Sequence, residues 1–135
     1  MAAGCELARA AAALLGVSFR LHGRDRLHGL DCMGLVEAAL TAAGHPARLP
    51  LDYALKMRSI DRFAGAAERA GLVAAKDAIR PGDILLLKVG PGQHHLGIMG
   101  MDDKLIHAHA GLRRVVSSPL PQGDIMERWR LSDSD

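Results

Sequence analysis

Residues 29–40 read GLDCMGLVEAAL. Leu35, Val36, Ala39 and Leu40 recur at the spacing of one helix face, and Gly44 supplies a stop. Asp31 is a strong N-cap residue, so the spacing predicts a helix that begins at Cys32. A sulfur in the first turn of a helix meets unpaired backbone N–H groups and the positive end of the helix dipole, and both favour thiolate. The same N–H groups can hold the oxyanion of a tetrahedral intermediate. Cys32 therefore reads in three ways: a small buried hydrophobe, a metal ligand, or a nucleophile. The remaining chain must supply the partners that choose between them.

Upstream, residues 5–15 (CELARAAAALL) are dense in strong helix formers and are stopped by Gly16. Residues 16–31 mix charge with Gly16, Gly23 and Gly29 and read as an irregular loop. Downstream of Pro46 and Pro50, residues 51–58 read as a short helical turn. Ile60, Phe63, Ala64, Ala67 and Ala70 then have helical spacing up to Gly71. Beyond residue 80 the pattern changes. Apolar runs of strand length occupy residues 83–89, 95–101, 104–110, 112–117 and 125–131, with a tight turn at Asp102-Asp103. Gly90-Pro91-Gly92 follows a strand without opening a helix, and reads as a turn rather than a phosphate cradle. Helices first and close-spaced strands afterwards predict an α+β fold, with N-terminal helices packed on a roughly five-stranded antiparallel sheet. The expected organisation is one domain over residues 1–135 with a frayed tail at about 132–135.

The chain has 135 residues, 49% hydrophobic and 24% charged, which is a globular balance. Aromatics are scarce, so Leu, Ala, Val, Ile and Met must fill the core. A net charge of +2 with scattered Lys and Arg gives no basic stripe of the kind nucleic acid requires. Two cysteines, Cys5 and Cys32, are too few for a disulfide framework and read as free thiols. The N-terminal MAAGCELARAAAALLG lacks a basic leader and is interrupted by Glu6 and Arg9, so it reads as no signal peptide. No segment is long enough for membrane insertion.

A thiol nucleophile needs a base, and the base needs an orienting group. Of the seven histidines, His94, His95, His107 and His109 fall in the strand-rich half. With a turn centred on Asp102-Asp103, partners across the hairpin have residue numbers summing to about 205. That puts His95 opposite Ala110 and His107 opposite Ile98, on adjacent strands but not directly paired, and a one-residue change in the turn allows them the same face. Alternation places His107 and His109 on one face, and sends His94 and His95 to opposite faces. Two imidazoles in line with a thiol would make a Cys-His-His triad. His95, His107, His109 and Cys32 also offer zinc-type ligands, but no Cys-x-x-Cys or His-Glu-x-x-His accompanies them. His107 as a structural histidine is the plain alternative, with His109 as a substitute orienter. His22, His28 and His45 read as solvated loop residues.

Asp31-Cys32-Met33-Gly34-Leu35-Val36, Gly82-Asp83-Ile84, His95-Leu96-Gly97-Ile98 and Ile106-His107-Ala108 together resemble the motifs of the NlpC family of papain-like cell-wall cysteine peptidases. The likeness extends over roughly residues 6–116. It implies Cys32 as nucleophile, His95 as general base and His107 as the residue that orients His95. It implies no cofactor and no metal. It also implies a peptidoglycan stem-peptide substrate, cut between D-γ-glutamate and a diamino acid. Two positions depart from the family pattern. Met33 replaces a small serine, and Phe19 replaces a tyrosine whose hydroxyl serves the oxyanion; His22, His28 or a further backbone N–H are the substitutes in reach. GRDRLHGLDCMGLV and HAHAGLRRVV resemble the compact phage-tail branch, including gene-transfer-agent tail peptidases. That branch implies tail-particle proteins as partners, and synthesis in the bacterial cytoplasm with action at the wall. The alternatives are a non-catalytic tail or adaptor protein of this fold, and an amidase or acyltransferase on a non-wall substrate.

Overall fold

The computed structural model describes residues 3–49, 57–90, 93–120 and 124–132. The helical turn expected from residue 51, the tip of the Gly90-Pro91-Gly92 turn and the tail beyond Ser132 lie outside these. Among the described residues three helices precede the main sheet: α1 (Ala3–Ala12), α2 (Cys32–Ala42) and α3 (Met57–Arg69). Between α1 and α2 a small hairpin pairs β1 (Arg24–Asp25) with β2 (Gly29–Leu30) inside the segment expected to be irregular. The strands that follow are β3 (Leu72–Ala74), β4 (Ile84–Gly90), β5 (Gln93–Met99), β6 (Lys104–His109), β7 (Arg114–Pro119) and β8 (Asp124–Leu131). They form one antiparallel sheet in the order β3-β8-β4-β5-β6-β7.

The sheet thus has six strands where five were expected. The additional one, β3, is three residues long and emerges directly from the α3 stop, where Gly71 turns the chain at φ +92°. Its pairing with β8 (Leu72 opposite Leu131) creates it, because three residues carry too little alternation to be read alone. The other edge is covered as well. The chain leaving α1 lies along β7, with Gly16 N–H donating to Val115 O at 2.9 Å and Val115 N–H to Val17 O at 2.8 Å. Covering an edge in this way removes a template for unwanted strand pairing.

Side chains alternate between two faces. Ile84, Leu86, Leu96, Ile98, Ile106, Ala108, Val115, Trp129 and Leu131 join the helices in the main core, where Phe63 meets Trp129 edge-on at 4.9 Å. Leu85, Leu87, Met99 and Leu105 form a second cluster on the opposite face, closed by Ile79. Burial on both sides explains the continuous apolar run of β4. Among the described residues no helix is long and apolar enough to cross a membrane.

The loop carrying Ile79 is fastened through Asp83. This carboxylate has no exposed surface. It accepts from Arg80 N–H at 3.0 Å, Arg128 at 2.9 Å, and Arg130 at 2.7 and 2.9 Å. Arg130 also pairs with Asp77 at 2.8 Å, and Arg128 donates to the Asp77 carbonyl. The Gly-Asp of the second motif quoted above is therefore structural: Gly82 makes the turn at φ +86°, and Asp83 ties that turn to β8.

Candidate active site

The helix α2 starts where the sequence predicts it. Asp31 is its N-cap, with Oδ1 accepting Gly34 N–H at 2.8 Å and its backbone carbonyl accepting Leu35 N–H at 2.8 Å. The second oxygen, Oδ2, accepts His22 N–H at 2.8 Å. Asp31 is thus a buried clasp between the helix start and the preceding hairpin, not a reacting group. Gly34 is the second half of this junction. A Cβ there would lie 1.9 Å from Gly23 O, so the hairpin backbone rests directly on the first turn. Gly34→Ala is expected to push the hairpin off α2 and cost about 2–3 kcal/mol or more, read as a lowered midpoint in urea unfolding.

Cys32 keeps 4% of its surface exposed. Its sulfur is approached by the backbone N–H groups of Leu96 and Met33, so the nucleophile candidate sits against β5 at the residue next to His95. Burial nevertheless pushes the thiol up to about 11, and the Asp31 carboxylate adds to the rise; the two N–H groups and the Arg24 guanidinium act the other way. This corrects the expectation that the helix terminus holds a thiolate. Desolvation of a small ion outweighs a dipole worth a fraction of that energy.

His95 and His107 are brought together. His95 Nε2 lies 2.9 Å from His107 Nδ1, with ring centroids 5.0 Å apart and planes at 89°. The sequence-derived register is wrong by one residue. Ile98 faces Ile106 and Met99 faces Leu105. Gly100 N–H donates to Lys104 O at 2.8 Å, leaving a three-residue loop, Met101 to Asp103, with Asp103 at φ +63°. A turn followed by a left-handed residue is a common three-residue hairpin, and it shifts the partners by one from a two-residue turn. The shift matters because it moves residues 95 and 107 onto the same face. Among the described residues the β5–β6 ladder is paired only at those two positions, so the strands are open where the imidazoles meet.

His107 Nε2 in turn lies 2.9 Å from Ser118 Oγ. Ser118 is absent from any sequence motif. It reaches His107 because β7 places Val116 opposite His107 and Ser118 two residues further along the same face. His109, on that face of β6, lies 5.7 Å from the His107 ring and accepts Leu112 N–H at 3.0 Å, so it shapes the following turn. His94 and His45 are half-buried, and His22 and His28 are exposed. His28 is held by Asp25 at 2.9 Å, which diverts it from the oxyanion role considered for it. His22 stands at φ +61° with its N–H committed to Asp31. Phe19 packs half-buried against the main core, and Met33 is buried within it at 1% exposure. Both departures from the quoted motifs therefore add to packing. Among the described residues no group of three or more His, Cys, Asp or Glu side chains is arranged to hold a metal ion.

Burial pushes His95 down to about 4, and the neighbouring His107 and His109 add to the fall. His107 is lowered by burial and then by His109. Both rings are therefore neutral at pH 7. The unfolded chain takes up a proton near 6.5 while folded His95 resists until about 4, so stability is present above 6.5 and is lost as the pH falls through that window. The loss from His95 is expected to reach up to about 3 kcal/mol. His95→Gln should flatten the slope of melting temperature against pH between 7 and 4; an unchanged slope would contradict the burial-driven shift.

Helices packed on an open antiparallel sheet, with the cysteine at a helix start and the histidine pair on adjoining strands, define the papain-like α+β class. The chain belongs to the NlpC/P60 family, whose model matches residues 16–132. Solved structures agree on the fold. NlpC1 from Trichomonas vaginalis superposes with a TM-score of 0.69 at 20% identity, covering 95% of this chain and 45% of that one. An N-acetylmuramoyl-L-alanine amidase from Bacteroides uniformis gives 0.69 at 14% identity, covering 97% and 99%. The peptidoglycan hydrolase RipB from Mycobacterium tuberculosis gives 0.63 at 21% identity, covering 95% and 63%. The chain spans less than half the length of the two Trichomonas vaginalis proteins, NlpC1 and NlpC2. No curated protein sequence matches it.

Proposed function

We propose that this chain is a cysteine peptidase that hydrolyses an amide bond in peptidoglycan stem peptides, of the D-γ-glutamyl-diamino acid type. The observation that carries the reading is the 2.9 Å contact of His95 Nε2 with His107 Nδ1, made on the same strand whose Leu96 N–H approaches the Cys32 sulfur. Family membership and the peptidoglycan hydrolase and amidase among its structural neighbours support the substrate class.

The resting pair is thiol and neutral imidazole. His95 uses Nε2 toward His107, which leaves Nδ1 to take the thiol proton as sulfur attacks the carbonyl carbon. Proton transfer accompanies attack, because burial disfavours both ions beforehand. Among the described residues the Cys32 N–H has no partner, since the Asp31 cap engages Gly34 and Leu35; it is the donor for the oxyanion. Protonated His95 then gives its proton to the leaving amine, and the released amine carries the C-terminal half away. A water deprotonated by His95 attacks the thioester and regenerates the thiol. The resemblance of GRDRLHGLDCMGLV to tail peptidases supports action at the wall as part of a phage-like particle.

Digestion of purified muropeptides followed by mass spectrometry tests the reading. The expected products are an N-terminal fragment ending in glutamate and a peptide with a new free amine on the diamino acid. Intact stem peptides released from muramic acid would instead identify an amidase, and unchanged muropeptides with an alkylation-resistant Cys32 would identify a non-catalytic member of the fold.

A further inference from the structure

Resting on that reading, we propose that Ser118 is a positioning residue of the catalytic relay, extending it to Cys32, His95, His107 and Ser118. Ser118 Oγ stands 2.9 Å from His107 Nε2, and His107 Nδ1 stands 2.9 Å from His95 Nε2, so the three side chains form one continuous chain. Three strands supply its members in order: β5, β6 and β7.

Protonation of His95 fixes the direction of every bond in the chain. Imidazolium carries a proton on both nitrogens, so Nε2–H must donate to His107 Nδ1. His107 is neutral, and with Nδ1 accepting it must carry its proton on Nε2. That N–H then needs an acceptor, and Ser118 Oγ is at hydrogen-bond distance. The opposite polarity would put a proton on His107 Nδ1 and on His95 Nδ1, and a ring protonated there cannot receive the thiol proton. Ser118 thus selects the tautomer in which His95 is a base, and holds the His107 ring while charge develops next to it. Among the described residues the titratable group that acts on both rings of the relay is His109 on β6, 5.7 Å from the His107 ring. His109 accepts from the Leu112 backbone and is not a member of the chain.

The test compares Ser118→Ala and Ser118→Thr with the wild type in the full chain. Ser118→Ala should lower kcat about 10–100-fold with KM little changed, as loss of an orienting hydrogen bond does elsewhere. The acid limb of kcat/KM should move to lower pH, because imidazolium at His95 loses support. Ser118→Thr keeps the hydroxyl and should recover most of kcat. Nitrogen NMR should show His107 protonated on Nε2 in the wild type and a mixture of tautomers in Ser118→Ala. A serine that only packs would lower the melting temperature and leave the acid limb and the tautomer in place, and that result would overturn the proposal. So would equal impairment of the alanine and threonine variants. If the wild type fails to cut stem peptides, the pH dependence of Cys32 alkylation by iodoacetamide reads the same relay without a substrate. A shift in that profile confined to Ser118→Ala supports the proposal even though the substrate assignment has failed, and identical profiles reject it.

Discussion

Cys32→Ala should abolish release of stem-peptide fragments, with kcat/KM reduced by about 10⁴-fold or more. The sulfur is the atom that becomes covalently bound in the proposed mechanism, and no other side chain can replace it there. Cys5, the other thiol, lies half-buried in α1, a different element. Combining Cys32→Ala with His95→Ala should cost little more than the single change, since the base has no proton to take once the thiol is gone. The variant must remain folded for the result to count. Cys32 belongs to the main core beside Met33, Leu35 and Val36, so deleting one sulfur should cost about 1 kcal/mol. A melting curve close to that of the wild type is the control. Substantial stem-peptide cleavage by a folded Cys32→Ala protein would remove Cys32 from the mechanism, and with it the role assigned to His95.

The largest stability effect is expected at Asp83, far from the sulfur in sequence. Asp83→Ala should destabilise the fold by about 3–5 kcal/mol, measured by urea unfolding. The cost comes less from the lost attraction than from what remains. Arg128 and Arg130 keep only 10% and 18% of their side-chain surface exposed, and without Asp83 two guanidinium groups are left largely desolvated. The neighbouring Asp77 partly serves Arg130 and Arg80, which bounds the loss. If this account is right, replacing Asp83, Arg128 and Arg130 together by apolar residues of similar volume should recover much of the stability. A loss below about 1 kcal/mol for Asp83→Ala would show that the carboxylate is dispensable. The consequence for the site is indirect. Met99 N–H donates to Asp83 O and Gly82 N–H to Met99 O, so the Asp83 turn is anchored to the end of β5, the strand that carries His95.

Much of the local design was legible. The helix start at Cys32 follows from Asp31, because an N-cap acts through hydrogen bonds within four residues. The strands β4, β5 and β6 follow from apolar runs of the right length. Gly34 was visible as a motif residue but not as a contact, since the hairpin backbone that forbids a side chain there belongs to a segment that reads as irregular. β3 was illegible because its existence depends on β8.

What the sequence determined by itself is therefore the order of its parts: a capped helix opening on a cysteine, and later strands bearing His95 and His107. Those features depend on short-range interactions, and a chain's local bonds are set by near neighbours. Tertiary structure decided the quantities on which chemistry turns. A single left-handed residue, Asp103, put both imidazoles on one face; burial raised the thiol and lowered His95; and the pairing of β7 with β6 delivered Ser118 to His107. Desolvation and strand register are properties of surfaces that meet only after the chain has folded, so no reading of neighbours along the chain contains them.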